Sequence, residues 1–306
     1  MSKQSNPYVM KRFDKITLPS DFPITAGEHS PSIKPVSLVH RHNCLELGYC
    51  HKGSGIFMID DKIIPFFAGD VSVITEYEFH IAQSADSPSL WTFISLNPTE
   101  LLYPCKSIGI EHFSGWKFPN ILTQHKHGGI IALVREIISE LEFKQPNYQD
   151  AVKGIAMAIM CKLHRIGSKV NRNDNLHVNK IFERIAPAIN YIHANYMKAI
   201  RISKLAKFCH LSEPHFRRLF VSATGKSPQE YLTHLRISLA GILLKDGDRQ
   251  ILDIALLVGY PSLSGFNRHF RRIMDCSPRN WRNLEKLHLT TDITHHHKSI
   301  IPQNDY

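Results

Sequence analysis

Between residues 36 and 96 the apolar positions come in short bursts, at 45–50, 56–59, 63–67, 71–74, 79–82 and 91–96. Turn-forming residues separate them: Gly53-Ser54-Gly55, Asp60-Asp61, Ala68-Gly69-Asp70 and Asp86-Ser87-Pro88. Bursts of four to seven residues punctuated in this way predict short antiparallel strands closed into a small barrel or sandwich. After about residue 129 the period changes. Ile130, Val134, Ile137 and Leu141 recur at helical spacing, and so do Val152, Ile155, Ile159, Leu163 and Ile166 beyond the break at Gln145-Pro146-Asn147. This is the pattern of a helical hairpin. Two readings of its apolar stripe stay open: it packs on the strands, or one of its helices forms a dimer interface.

Residues 168–179 are polar and aperiodic and read as a linker. The C-terminal part then matches itself at a shift of 50 residues. Ser212 falls on Ser262, Phe216 on Phe266, Arg218 on Arg268, Phe220 on Phe270, Ser227-Pro228 on Ser277-Pro278, and Tyr231 on Trp281. Such a register indicates a duplicated structural unit. Each copy reads as a short helix (203–209 and 251–258), a tight turn at His210-Leu211 or Gly259-Tyr260-Pro261, and a second helix capped by Ser212 or Ser262. Phe216, Leu219 and Phe220 make the buried face of one second helix, and Phe266, Phe270 and Ile273 that of the other. The outward faces carry Glu213, Pro214, His215, Arg217 and Arg218 in the first copy. In the second they carry Leu263, Ser264, Gly265, Asn267, Arg268 and Arg271. A short helix, a turn and a basic second helix make a helix-turn-helix unit, whose second helix lies in the DNA major groove. Between the copies, Ser227-Pro228-Gln229-Glu230 is a capping box opening a helix to about Lys245. A rod of that length, roughly 27 Å, could set two reading heads about one DNA turn apart.

Charge sharpens this picture. The formal net charge of the 306 residues is +10. Residues 1–179 hold 18 Lys+Arg against 17 Asp+Glu, residues 180–290 hold 18 against 8, and the tail from 291 holds 1 against 2. The whole excess lies on the duplicated segment, as a polyanion-binding surface requires. The six cysteines are far apart with no C-x-x-C pair, which argues against a zinc knuckle or disulfide framework and fits a reducing compartment. No secretory signal or apolar run of membrane length is present, so a cytoplasmic protein without a membrane partner is expected. The sequence has neither a phosphate-cradling G-x-x-x-x-G-K-[ST] loop nor a nucleophile elbow, so no enzyme and no cofactor is expected.

From about Ile181 to Leu287 the residues resemble the AraC/XylS family of bacterial transcription factors. The resemblance is carried by Ile202-x-x-Leu205-Ala206, Leu219-Phe220, Gly225-Lys226-Ser227-Pro228, Ile254-Ala255, Val258-Gly259-Tyr260, Arg268-x-Phe270-Arg271-Arg272 and Ser277-Pro278. Two departures are visible: Tyr260 stands where the family usually has Phe, and Cys276 where it usually has Gly. The resemblance implies an α+β multidomain chain. An N-terminal cupin-like β-barrel (1–128) carries the helical hairpin (129–167). The linker (168–179) leads to an all-α DNA-binding domain with two helix-turn-helix units (180–290), and a disordered tail follows (291–306). It also implies base readers at Pro214, Arg217 and Arg218, and at Leu263, Gly265, Asn267 and Arg268. Ser212, His215, Ser264 and Arg271 complete the expected DNA face. Double-stranded DNA, RNA polymerase, a small-molecule effector and a second copy of the chain are the partners it implies.

The N-terminal half resembles the cupin-like sensor of this family through His40-Arg41-His42-x-x-x-Glu46, Gly53, Gly69-Asp70 and His80. The family analogy favours a sugar or sugar derivative, activating a carbohydrate-use operon. His40, His42, Glu46, Tyr49, Phe79, His80 and Trp91 offer aromatic faces and polar groups of the right type. Two alternatives stay open: a metal- or redox-responsive regulator using His40, His42, Glu46 and His80 or the cysteines, and a cupin metalloenzyme fused to a DNA-binding domain. Imidazole and carboxylate together suit iron, manganese or zinc. Thr75 stands where a metal cupin usually has Pro, and this weighs against a metal. The triplet His295-His296-His297 reads as part of the tail.

Overall fold

The computed structural model describes residues 15–29, 39–60, 62–76, 78–103, 116–169, 172–245 and 249–283. The expected tail with its histidine triplet, and Cys105, lie outside them. All six predicted strands form: β2 (Leu45–Lys52), β3 (Ser54–Ile59), β4 (Lys62–Phe67), β5 (Val71–Ile74), β6 (His80–Ser84) and β7 (Leu90–Leu96). β1 (Ile24–His29), β8 (Trp116–Lys117), β9 (Ile121–Leu122), β10 (Ser168–Lys169) and the short helix α1 (Pro98–Leu101) had no clear sequence signal. β1 reads ITAGEH, too weak in β-branched residues to announce a strand, and pairs with β7 at the sheet edge.

The strands form antiparallel sheets, one ordered β1-β7-β2-β5-β9 and one β4-β3-β6. The side chains of β2 alternate. Leu45 and Leu47 join Val71, Val73, Ile94 and Leu96 on one face of the larger sheet, and this face is covered by α2 (Gln124–Phe143) and α3 (Tyr148–Ile166). Ile130, Val134, Ile137, Val152, Ile159 and Leu163 all pack there. The apolar stripe of the hairpin therefore covers the sheet. The opposite face holds Cys50, Ile74 and Trp91, which meet Phe57, Ile59 and Phe66 of the smaller sheet. That second core lies inside the β-domain.

The stretch that reads as a linker is not one. Ser168–Lys169 pair with β8, and α4 (Arg172–Asn195) begins at Arg172. A polar stretch with so few apolar positions shows no helical period, yet the apolar run that follows from Phe182 carries the helix. The chain divides into two compact units, residues 1–195 with 200–231, and 196–199 with 232–306. The first helix-turn-helix, α5 (Ile202–Phe208) and α6 (Glu213–Thr224), falls in the same compact unit as the β-domain. The reason is packing by α4. Phe182 stacks on Phe79 at 4.8 Å, Glu183 pairs with Arg41, and the Asn190 side chain accepts from the Val39 amide at 2.8 Å. His193 completes the contact with Gln83.

α7 (Pro228–Lys245) runs from one unit into the other, and the second unit carries α8 (Ile251–Leu257) and α9 (Leu263–Met274). The capping box forms as read: the Ser227 amide donates to Glu230 Oε2 at 2.9 Å and the Glu230 amide to Ser227 Oγ at 3.3 Å. In the second unit Arg236 donates to the carbonyls of Tyr196 and Lys198, and Trp281 to that of Gly241. No helix among the described residues is long and apolar enough to cross a membrane.

Candidate nucleic-acid interface and sensor cluster

In the first helix-turn-helix, Phe216 and Phe220 are fully buried and leave Pro214, Arg217, Arg218 and Val221 exposed. Ser212 occupies the N-cap of α6, but its side chain accepts no bond. Pro214 near the start of the helix has already removed one amide that such a cap would serve. In the second unit Ser262 does cap α9, accepting from the Gly265 amide at 3.4 Å. Phe266 and Phe270 are buried; Leu263, Ser264, Arg268 and Arg271 are exposed, and Gly265 and Asn267 half-buried. The two outward stripes are built alike. Pro214, Arg218 and Val221 share one face of α6 at i, i+4, i+7, and Ser264, Arg268 and Arg271 share the same face of α9. Sequence reasoning missed Val221, which is 45% exposed where the duplicate has Arg271. The 50-residue register could have found it.

Arg217 is held by Glu213, one helical turn earlier, with Nη2 at 2.7 Å and Nε at 3.2 Å from Oε1. His215 is half-buried beside them. In the second unit Tyr260 Oη meets His269 Nδ1 at 3.0 Å, and burial with the charges of Arg272, Arg268 and Arg236 pulls His269 down. The turn following α9 has its left-handed residue at Asp275 (φ 57°), in register with Gly225 (φ 65°), so Cys276 is not the strained position.

The seven expected sensor residues do not converge. His42, Glu46 and His80 do: one ligand atom from each lies within 4.8 Å of the others, and all three are buried. His40 stands beside them, its ring 4.2 Å from that of His80 and its backbone bonded to it in both directions. Strand parity separates the rest. Tyr49 is three residues from Glu46, hence on the opposite face of β2, where Arg135 of α2 lies over its ring. Phe79 precedes His80 and turns instead to Phe182 and to the guanidinium of Arg41, 4.9 Å above its ring. Trp91 shares the interior face with Glu46, but it pairs with Cys50, four residues and roughly 13 Å along β2. Between them Phe93 fills the room that Gly48 leaves: a Cβ at Gly48 would lie 2.5 Å from the Phe93 ring and 2.4 Å from Ser72 Oγ. Trp91 is a core residue, stacked on Phe93 and donating to Ser89 Oγ at 3.0 Å.

Glu46 Oε2 lies 3.3 Å from His42 Nε2, and Oε1 3.8 Å from His80 Nε2. Burial would lower His42, but its contacts with Cys44 and Glu46, and the charge of Glu46, push it up to about 10. Burial would raise the Glu46 carboxyl, and His42 with the other histidine charges brings it below its ordinary value. Burial, helped by His40, pushes His80 down to about 3. The closest charged contact of Glu46 in the cluster is with His42. Away from the cluster, burial raises the Cys50 thiol to about 12 and that of Cys209 to about 11. Such thiols react poorly, which removes support from a redox role for them.

Two family models match the chain: one described as an AraC-like ligand binding domain, over residues 34–160, and one described as a helix-turn-helix domain, over residues 205–284. Among curated proteins it is 24% identical over 250 residues to the HTH-type transcriptional activator RhaS of Yersinia pestis (strain Pestoides F), a match that covers 80% of this chain and 88% of that one. It is 24% identical over 236 residues to the lactose operon transcription activator of Staphylococcus xylosus, covering 76% and 81%. Among solved structures, ToxT from Vibrio cholerae is 16% identical with a TM-score of 0.36, covering 85% of this chain and 98% of that one.

Proposed function

The chain belongs to the AraC family of DNA-binding transcription regulators, and from that premise we propose that it is an effector-responsive activator of a carbohydrate-use operon. The observation that carries the DNA-binding half is the paired stripe: Arg218 and Arg268 stand exposed at equivalent positions of two duplicated helices. A guanidinium can bond guanine O6 and N7 together, so each reads a base in its own half-site. Arg217, Pro214, His215 and Ser212 contribute to the first half-site, and Leu263, Ser264, Gly265, Asn267 and Arg271 to the second. The sugar effector is supported by one relative, named as the activator of a lactose operon. The protein would act in the cytoplasm as a regulator, not an enzyme. It would meet RNA polymerase there as an activator, and self-associate through the solvent side of α2 and α3.

Two experiments test this reading. Operator half-sites selected from random DNA should lose discrimination at one base position with Arg218→Ala and at another with Arg268→Ala, by about 1–3 kcal/mol each. A uniform loss on every sequence would mean phosphate contact instead. Thermal melts of the full chain against a sugar panel should single out one compound, since an effector at about 100 times its Kd adds about 2.7 kcal/mol. A flat response to every sugar would reject the carbohydrate assignment and leave the DNA-binding role in place.

A further inference from the structure

The second reading head carries more positive charge than its base readers account for. The guanidinium of Arg236 lies 5.7 Å from the centre of the Tyr260 ring, and its Nε and Nη2 donate to the carbonyls of Tyr196 and Lys198. Tyr260 Oη in turn meets His269 Nδ1 at 3.0 Å. On α9, Arg268 precedes His269 and Arg272 follows it by one helical turn. The charges of Arg272, Arg268 and Arg236 all act on His269, and those of Arg236 and Arg272 act on Tyr260. No carboxylate offsets them: among the described residues none of these three arginines is ion-paired. Burial pushes the Tyr260 phenol up to about 12, so it stays a neutral hydroxyl and supplies no negative charge. Guanidiniums, an imidazole and a hydroxyl gathered in this way are complementary to an anion.

The place of the cluster on the helix identifies the anion. At about 100° per residue, Ser264, Arg268 and Arg271 point one way from α9 and the buried Phe266 and Phe270 the other, and Arg272 and His269 fall between these two faces on one side. A helix roughly 10–12 Å across, seated in a major groove about 12 Å wide, has a sugar–phosphate strand along each flank. The flank that carries Arg272 and His269 therefore meets a backbone phosphate when Arg268 reads a base. His269 gives its Nδ1 to Tyr260, which leaves Nε2 as the donor toward that phosphate. Burial and the neighbouring arginines hold His269 below its ordinary value of 6.5. A phosphate oxygen at Nε2 acts the other way, because an opposite charge favours the protonated ring. In that form Tyr260 Oη accepts from Nδ1–H and fixes the plane of the imidazole. Tyr260 is also one of the two positions where the chain departs from the AraC/XylS pattern, so its hydroxyl is not part of that pattern.

We propose that His269 and Arg272 clamp one DNA backbone phosphate beside the second half-site, that Tyr260 positions His269 for this contact, and that the clamp takes up a proton as DNA binds. This rests on the reading of α9 as a DNA-binding helix and deepens it. The test measures, by fluorescence anisotropy, the affinity of the full chain for a labelled duplex of the operator selected from random DNA and for a random-sequence duplex. Free His269 lies below 6.5 and phosphate-bound His269 lies higher, so affinity should fall as pH rises through the range around 6.5, by at most about tenfold per pH unit, the limit for one proton. His269→Gln should flatten that slope, and Tyr260→Phe should weaken it while keeping the ring contacts. Arg272→Gln should reduce the dependence of log affinity on log salt by about 1. Base preference should stay the same in all three variants, since a phosphate contact carries no sequence information. Among operators with single phosphates replaced by neutral methylphosphonate, one position should remove the pH slope of the unaltered chain. An unaltered slope in His269→Gln, or no such position, overturns the clamp. A changed preference at one base in His269→Gln also overturns it, by making His269 a base reader. An unaltered slope in Tyr260→Phe overturns the positioning role. Circular dichroism checks the folding of each variant, and Arg272, being exposed, keeps the salt test available if another variant unfolds. Unchanged base preference in Arg268→Ala with the pH slope kept sinks the base-reading role of Arg268 and leaves the clamp. Base discrimination lost in Arg268→Ala, with no pH slope in the unaltered chain, sinks the clamp alone.

Discussion

Gly259 and Gly225 have the same kind of backbone but different surroundings, so one substitution at both sites separates strain from steric overlap. Gly225 ends α6 with φ +65°, and a Cβ there would meet nothing within 4 Å. Gly259 forms the turn between α8 and α9 with φ +91°, and a Cβ there would lie 2.6 Å from the Met197 carbonyl oxygen and 2.7 Å from its Cα. These are backbone atoms and cannot swing aside. A side chain in the left-handed region costs about 1–2 kcal/mol, and this is the whole expectation for Gly225→Ala. Gly259→Ala adds an overlap that must move the turn, typically about 1–3 kcal/mol more. Amide exchange followed by mass spectrometry reads both locally. At 1.4 kcal/mol per factor of ten, α6 amides should exchange roughly ten times faster in the first variant, and α8–α9 amides roughly a hundred times or more in the second. His210, with φ 55° at the corresponding turn of the first copy and an exposed side chain, shows that the backbone alone tolerates a Cβ. Equal exchange increases in the two variants would refute the role given to Met197.

Other outcomes follow from the same geometry. Glu213→Gln frees Arg217 and removes a carboxylate from the DNA face, so non-specific DNA affinity should rise several-fold in fluorescence anisotropy at fixed salt; unchanged affinity would mean that the pair does not restrain Arg217. Val221→Ser should weaken binding only where the site presents a thymine methyl to α6, as competition between thymine- and uracil-containing operators would show. His193 is pushed down to about 4 by burial. Between that value and its ordinary 6.5 the unfolded chain binds a proton that the folded chain refuses, so stability should fall as pH drops from about 6.5 to about 4, by at most about 3 kcal/mol. Urea midpoints across that range should show a steeper slope than in His193→Gln; identical slopes would mean that His193 titrates normally.

The duplicated helices were legible because their apolar spacing, turns and capping all agreed, and Phe216, Phe220, Phe266 and Phe270 are buried where the 50-residue register puts them. The sensor site was half legible. The triad of His42, Glu46 and His80 could be picked out by residue type, and alternation along β2 already places Tyr49 on the wrong face for it. Trp91 could not be excluded that way, because it lies on the correct face and only the Phe93–Gly48 contact cuts it off. The grip of the β-domain on α4 left no local trace, since it joins Val39 to Asn190 and Gln83 to His193 across more than a hundred residues. Nothing periodic in either segment reports the other.

That grip bears on how such proteins exchange parts by recombination. A crossover in the polar stretch before residue 180 looks harmless, because it severs no helix-turn-helix motif. It would nonetheless set a foreign α4 against Phe79, Arg41, Gln83 and Val39, leaving a half-buried guanidinium and a buried amide to find new partners. A graft that keeps residues 181–195 with their own β-domain, or brings the matching four positions along, should yield a folded chimera far more often. The first reading head is in this sense inherited with the sensor, and the second is the more transferable module.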